Sequence, residues 1–245
     1  MNILITGASS RLGQAIATDL RSDHRLRLMD EASLEGDDRV EVVHGSILKT
    51  DDTWRAVRGM DALIHTGEPP PHLPAAGRDR DHKLLDLATR GTHTLFQAGV
   101  DAGIKRFIYA GTLSIFKGYA DDVYLTEMWK PLPASEMRQM ARYLGELTSR
   151  EFARDFMVTV TGLRLGELVF EEEVQGQTTN PFWLDLRDAV QAFRCALDRD
   201  KSEQVHWIER WAVYHISAAI DNPKFLIDQA RDMGYEPTHN FGNGQ

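Results

Sequence analysis

The 245-residue sequence has a single cysteine, Cys195, so no disulfide can form within the chain and an oxidised extracellular scaffold is excluded. It has no apolar run near the roughly 18 residues that a membrane span requires. Met1 runs directly into an apolar strand pattern, with no basic leader or cleavage site after it. These absences give the expectation of a cytoplasmic protein without membrane contact. Basic residues are in deficit, 28 Lys and Arg against 37 Asp and Glu, and a net charge of -9 without any dense basic block argues against a nucleic-acid partner. No two of the nine histidines lie three or four residues apart and there is no His-Glu-x-x-His, so no metal site is expected.

What is present is the profile of a globular protein, 42% hydrophobic and 27% charged. Short β-branched runs at Asn2 to Thr6, Leu26 to Met29, Val40 to Val43, Ala62 to His65, Phe107 to Ala110 and Val158 to Leu165 alternate with segments of helical period. The helical segments fall after Leu12, around Trp54 to Met60, at about 83 to 102 and at about 135 to 156. Strands alternating with helices of this length imply crossover connections and a parallel sheet covered on both faces. The expectation is an α/β, Rossmann-like, doubly wound parallel sheet formed by one domain over residues 1–245. After Leu165 the rhythm weakens through an acidic run at Glu171 to Glu173, a helix near Leu186 to Leu197, a strand near Val213 to Ser217 and a helix from about Pro223 to Met233. That leaves a small C-terminal cap over about 167–245. Gly67 to Gly77, with Pro69, Pro70, Pro71 and Pro74, reads as a loop.

The first strand is followed by Thr6-Gly7-Ala8-Ser9-Ser10-Arg11-Leu12-Gly13, which opens the first helix. A glycine at the turn, a glycine for close helix–strand packing and a helix N-terminus between them are what a dinucleotide pyrophosphate requires. Asp30 closes the second strand, where a carboxylate can accept both ribose hydroxyls and repel a 2′-phosphate, so the expected cofactor is NAD in preference to NADP. Arg11 points the other way, since a guanidinium beside the loop can pair with that phosphate.

On these residues the chain resembles the short-chain dehydrogenase/reductase superfamily, in its extended or atypical form, the NAD-dependent epimerase/dehydratase family. Arg90-Gly91-Thr92, Lys105 to Ala110, Leu163-Arg164-Leu165-Gly166, Trp183 to Val190 and Met233 to Pro237 match family segments in order. The resemblance implies that Gly7, Ser10, Arg11, Leu12, Gly13 and Asp30 hold the cofactor, with Ser46 and Ile47 near the adenine and Thr66 and Gly67 lining the groove. It also implies a homodimer through the helices at about 84 to 102 and 135 to 156. Two positions depart from the pattern. The family usually has Asp where Ser46 stands, and one loop glycine is replaced, at Ser10 or Arg11 according to subfamily.

The family pairs a Ser/Thr with a Tyr and a Lys four residues later, the cation lowering the phenol's pKa for proton transfer. Thr112 matches the Ser/Thr. The six tyrosines are followed four residues later by Leu113, Val123, Met128, Leu147, Ala218 and His239, none of them lysine. Counting back from Arg164 places Arg138 at the Tyr position and Arg142 at the Lys position; Tyr143 points to another helix face. A guanidinium does not exchange protons near neutral pH. The leading expectation is therefore an NAD(P)-binding protein that lacks the usual relay and binds a dinucleotide or a small anionic, sugar-like ligand against Arg138 and Arg142. The alternative is an NAD-dependent oxidoreductase or epimerase of sugar-like hydroxyl compounds, with Thr112 orienting the substrate and a non-standard acid/base. His65 is expected to be structural, Cys195 a buried small hydrophobe, and Trp207 and Trp211 core, interface or pocket-floor residues.

Overall fold

The computed structural model describes residues 1–242. Seven parallel strands form the main sheet in the order β3-β2-β1-β4-β5-β6-β9. They are β1 (Asn2–Thr6), β2 (Arg25–Asp30), β3 (Val40–His44), β4 (Ala62–His65), β5 (Arg106–Thr112), β6 (Thr159–Leu165) and β9 (Trp211–Ile216). The strand order reverses between β1 and β4, so the crevice for a ligand lies beyond their carboxyl ends. Alternation along each strand sends side chains to two cores. Ile3 and Ile5 join Leu12, Ile16 and Phe193 on the face covered by α1 (Arg11–Leu20) and α6 (Leu186–Asp198). Leu4 and Leu63 join Phe96, Phe107 and Phe152 under α2 (Thr50–Val57), α4 (Thr92–Asp101) and α5 (Met137–Asp155).

Several expectations from sequence shift. The helix preceding β5 begins earlier, as α3 (Arg78–Asp86), and reaches α4 through a π-turn over Leu87–Gly91 in which the Thr92 N–H bonds to Leu87 O. The strand near 213 begins at Trp211 and joins the main sheet, and α6 covers the sheet as well. The rest of the described residues after Leu165 hold a two-stranded pair, β7 (Glu167–Val169) with β8 (Trp183–Asp185), a 3-10 turn at Glu171–Val174, two short α-helices, α7 (Trp207–Arg210) and α8 (Asp228–Asp232), and connecting loops. The helix expected from Pro223 shrinks to α8 because the chain ahead of it is extended and paired, with Leu125 N–H donating to Lys224 O at 2.7 Å and Leu226 N–H to Leu125 O at 2.9 Å.

Helix α5 is held unusually close to the sheet. A Cβ on Gly145 would lie 2.1 Å from Tyr109 Oη, so only glycine lets the helix approach β5 there. One turn away, the Tyr109 hydroxyl donates to Arg142 O at 3.1 Å. Next to Gly145, Glu146 makes a bidentate pair with Arg164 of β6, 3.0 Å from Nε and 2.7 Å from Nη2, with both residues about 5% exposed. Removing one partner of such a pair leaves the other buried and uncompensated, whereas replacing both by apolar groups is often neutral. Arg164→Leu is therefore expected to lower the unfolding free energy by about 3–5 kcal/mol, and adding Glu146→Leu to recover most of the loss, as read by urea denaturation.

Candidate functional site

The glycine loop closes on itself. Gly7 has φ +68°, and a Cβ there would stand 2.3 Å from Thr66 Oγ1, so the turn accepts no side chain. Ser10, one of the two positions expected to replace a loop glycine, caps α1. Its hydroxyl accepts from Gly13 N–H at 3.0 Å and donates to Gly7 O at 2.7 Å. The departure from the glycine pattern thus becomes a cap that leaves the N–H groups of Arg11 and Leu12, which have no intrahelical acceptor, at the mouth of the crevice. Asp30, 6% exposed, fastens this loop to the end of β2: Oδ2 accepts from Ser9 N–H at 2.9 Å and Oδ1 from Ala32 N–H at 3.0 Å. Each oxygen keeps a further lone pair.

Arg11 is drawn away from the adenosine end. Its guanidinium makes a bidentate pair with Glu173, at 2.7 and 2.8 Å, and stacks 4.5 Å from the centre of the Phe170 ring. Only its backbone remains to the loop. At the far end of the crevice, the Ser46 hydroxyl donates to Glu31 Oε1 at 2.5 Å. Lys83 Nζ lies 3.3 Å from the same oxygen, and His72 Nε2 3.4 Å from Oε2. Burial works to raise the Glu31 carboxyl, but the Ser46 bond and the Lys83 charge outweigh it and hold it below the usual carboxylate range. Ile47 lines the pocket that Gly7, Asp30, Glu31, Gly45, Leu87 and Glu68 also border.

The other end is built around α5. Arg142, whose side chain is 12% exposed, donates through Nη1 to Thr66 O at 2.5 Å and Ala110 O at 3.0 Å, and through Nη2 to Glu68 Oε1. It is a clamp between the ends of β4 and β5, so of the two arginines expected together in the groove Arg138 is the one with an exposed guanidinium. Arg138 is 57% exposed and reaches Glu68 Oε2 only at 3.5 Å. A cavity of about 500 Å³ spreads from Ser10 and Leu12 past Glu68 and Arg138 to Thr112 and Lys117. The Thr112 hydroxyl faces it, accepting from Ser114 N–H and donating to Ser114 Oγ, both at 3.1 Å. Lys117 is bound to Glu167 at 2.7 Å, so Arg138 is the least committed of the four cations lining the cavity.

The structure thus brings Gly7, Ser10, Arg11, Leu12, Asp30, Ser46, Ile47, Gly67, Thr112, Arg138 and Arg142 to the linings of adjoining recesses, with Gly13 and Thr66 buried behind the glycine loop. It adds two residues that sequence reasoning passed over, Glu31 and Glu68. Glu68 borders the pocket with Asp30, the cavity with Thr112, and a third recess with His65 and Tyr109. The only sequence signal for it was its place three residues beyond the end of β4. Tyr143 packs on Leu113, Phe116 and their neighbours, away from the cavity. The Tyr119 hydroxyl donates to Lys130 O, and Tyr124 is exposed. Cys195 is half-buried with its thiol on Gly234 O, not fully buried as expected, and Trp207 is exposed, outside the core. Among the described residues there is no cluster of His, Cys, Asp and Glu that could hold a metal, and no helix is long and apolar enough to cross a membrane.

The donors and acceptors fit a dinucleotide: a close-approach glycine, a capped helix start with spare N–H groups, and a strand-end carboxylate with spare lone pairs. A family model described as NAD(P)H-binding matches residues 7–181. An NAD-dependent glucose-6-phosphate dehydrogenase of Haloferax volcanii is 28% identical over 97% of this chain and 93% of its own length. An L-arabinose 1-dehydrogenase (NAD(P)(+)) of the same organism is 24% identical over 97% of this chain and 96% of its own. A tyrosine-to-alanine mutant of uronate dehydrogenase from Agrobacterium tumefaciens, solved in complex with NAD, superposes with a TM-score of 0.80 at 18% identity, covering 98% of this chain and 85% of that one.

His65, fully enclosed, is bonded to Thr6 Oγ1 at 2.8 Å and Thr92 Oγ1 at 3.2 Å, and burial followed by the Arg142 charge pushes its pKa down from 6.5 to about 3. His215 is pushed down to about 3 in the same way, by burial and then by Arg164. Below 6.5 the unfolded chain binds protons at these sites that the folded one refuses, so stability falls with falling pH. Between pH 6.5 and about 4.5, above most carboxylate titrations, the expected loss approaches about 1.4 kcal/mol per pH unit for each histidine. Urea midpoints across that window check it, and His65→Asn should roughly halve the slope.

Proposed function

The chain belongs to the NAD(P)H-binding family, with the fold of the epimerase/dehydratase type of short-chain dehydrogenase/reductase, and on that premise we propose that it is an oxidoreductase taking NAD in the crevice and a small anionic, sugar-like hydroxyl compound in the adjoining cavity. Asp30 supports NAD over NADP, because its carboxylate faces the ribose position and repels a 2′-phosphate. The diversion of Arg11 to Glu173 supports the same choice, since it takes away the loop cation that could pair with a 2′-phosphate. The names of the relatives, a sugar-phosphate, an arabinose and a uronate dehydrogenase, support the substrate class.

One observation carries the catalytic part of this reading: Glu68 lies where crevice and cavity meet, fixed by Arg142 and within reach of Arg138. With guanidinium groups, which carry no acceptor, at both positions of the usual relay, Glu68 is the side chain bordering both crevice and cavity that offers lone pairs to a hydroxyl proton. Bound NAD supplies the hydride acceptor. Thr112 orients the substrate hydroxyl, Arg138 pairs with the substrate's anionic group, and Glu68 takes the hydroxyl proton. A carboxylate is a weaker base than a phenolate, and it suits the hydroxyl at a sugar's carbonyl-derived carbon, which is more acidic than an ordinary alcohol.

Arg138 and Arg142 at the Tyr and Lys positions favour a second reading, a dinucleotide and anion binder without turnover. Assay of NAD reduction with glucose 6-phosphate, glucuronate, galacturonate and arabinose separates the two. The oxidoreductase reading expects turnover of at least one anionic sugar. It expects Glu68→Gln to lower kcat by at least about 100-fold with little change in NAD affinity, and Arg138→Ala to raise KM by roughly tenfold. No turnover of any of the four across the neutral and alkaline range favours the binder.

A further inference from the structure

The ends of β2 and β3 carry a carboxylate that the cofactor reading so far does not use. Asp30 holds the glycine loop and keeps lone pairs for the ribose, and Glu31 beside it borders the same pocket. Where the family resemblance implies an aspartate facing the adenine amino group, this chain has Ser46. The Ser46 hydroxyl donates to Glu31 Oε1 at 2.5 Å, so the carboxylate of the neighbouring strand end stands one hydrogen bond from the side chain that replaced the aspartate.

Three groups fix the Glu31 carboxylate. Ser46 and Lys83 hold Oε1, and His72 approaches Oε2 at 3.4 Å. Its side chain stays 21% exposed, so it is positioned without being sealed. It borders both the pocket of Gly7, Asp30 and Ile47 and a recess of about 590 Å³ with Ser46 and Lys83. Ile47 and Leu87 supply apolar surface in that pocket suited to a purine ring, and an adenine there presents its exocyclic amino group as a donor. An ion pair serving only to tie β2 to α3 would contribute little and would not require a serine in its path.

We infer that Glu31 is the acceptor for the adenine amino group, taking over from the neighbouring strand the task that residue 46 has lost, so that the site selects a 6-aminopurine over a 6-oxopurine. The inference rests on the proposed dinucleotide binding.

The test is calorimetric titration with NAD and with nicotinamide hypoxanthine dinucleotide, in which oxygen replaces the 6-amino group. The wild type is expected to prefer NAD by roughly ten- to a hundredfold, the range of a hydrogen bond to a charged acceptor. Glu31→Ala should reduce that preference below about threefold, mainly by weakening NAD. Ser46→Asp added to Glu31→Ala should restore it, because the carboxylate returns on the adjacent strand. Glu31→Gln keeps the shape and, should the alanine variant not fold, carries the same comparison with an intermediate preference expected. Equal affinity of the wild type for both dinucleotides overturns the inference while leaving dinucleotide binding intact. So does a parallel loss of both in the variants, which would mark a structural role, or a gain of NADP binding with the adenine preference unchanged. Failure to bind either dinucleotide overturns the cofactor reading and this inference together.

Discussion

The guanidinium of Arg142 bonds at once to the carbonyls of Thr66 and Ala110 and to the carboxylate of Glu68, and the geometry of the site follows from that fork. A planar group with five donors can serve three acceptors in fixed directions, which a lysine ammonium cannot do with equal definition. The carbonyls belong to the ends of β4 and β5, where strand order places a ligand crevice, so the clamp joins two strand ends to α5. Its own position depends on α5 sitting hard against β5 at Gly145 and on the buried Glu146–Arg164 pair one turn away. Held in this way Arg142 is a fixed charge, and its bond to Glu68 keeps that carboxylate at the crevice.

Charge along the crevice alternates, which reconciles an acidic chain with a ligand that carries a negative pyrophosphate. Asp30 and Glu31 lie at the adenosine end, where hydroxyl and amino donors are expected. Between them and Glu68 the start of α1 contributes N–H groups and the positive end of its dipole. Beyond Glu68, Arg138 is left exposed over a cavity in which Arg142 is held by Glu68, and Arg11 and Lys117 are bound to carboxylates of the segment after β6. That segment does more than cover the cavity: by holding Arg11 and Lys117 it decides which cation remains for a ligand.

Most of the sheet and the cofactor loop were legible from sequence because their signals are local. The run Asn2 to Thr6, the two glycines after it and Asp30 at the end of the next strand lie within thirty residues and state both the turn and the acid. The residues that were missed act across distance. Glu68 sits before Pro69 and reads as loop, and its partner Arg142 is 74 positions away; Glu31 meets Lys83 across 52, and Arg11 meets Glu173 across 162. No periodicity encodes such pairs. The three-residue strands β7 and β8 are too short to show alternation, and the apolar residues after Pro223 were read as helical although they pair with Leu125.

Thermal unfolding in the presence of NAD, NADH, NADP and NADPH tests most directly whether the crevice holds a dinucleotide. At a hundredfold excess over its dissociation constant a ligand stabilises the folded state by about 2.7 kcal/mol, which for a chain of this size raises the midpoint by roughly 5–10 °C. The account predicts such a rise with NAD or NADH and a smaller one with the phosphorylated pair. An unchanged midpoint with all four would contradict it.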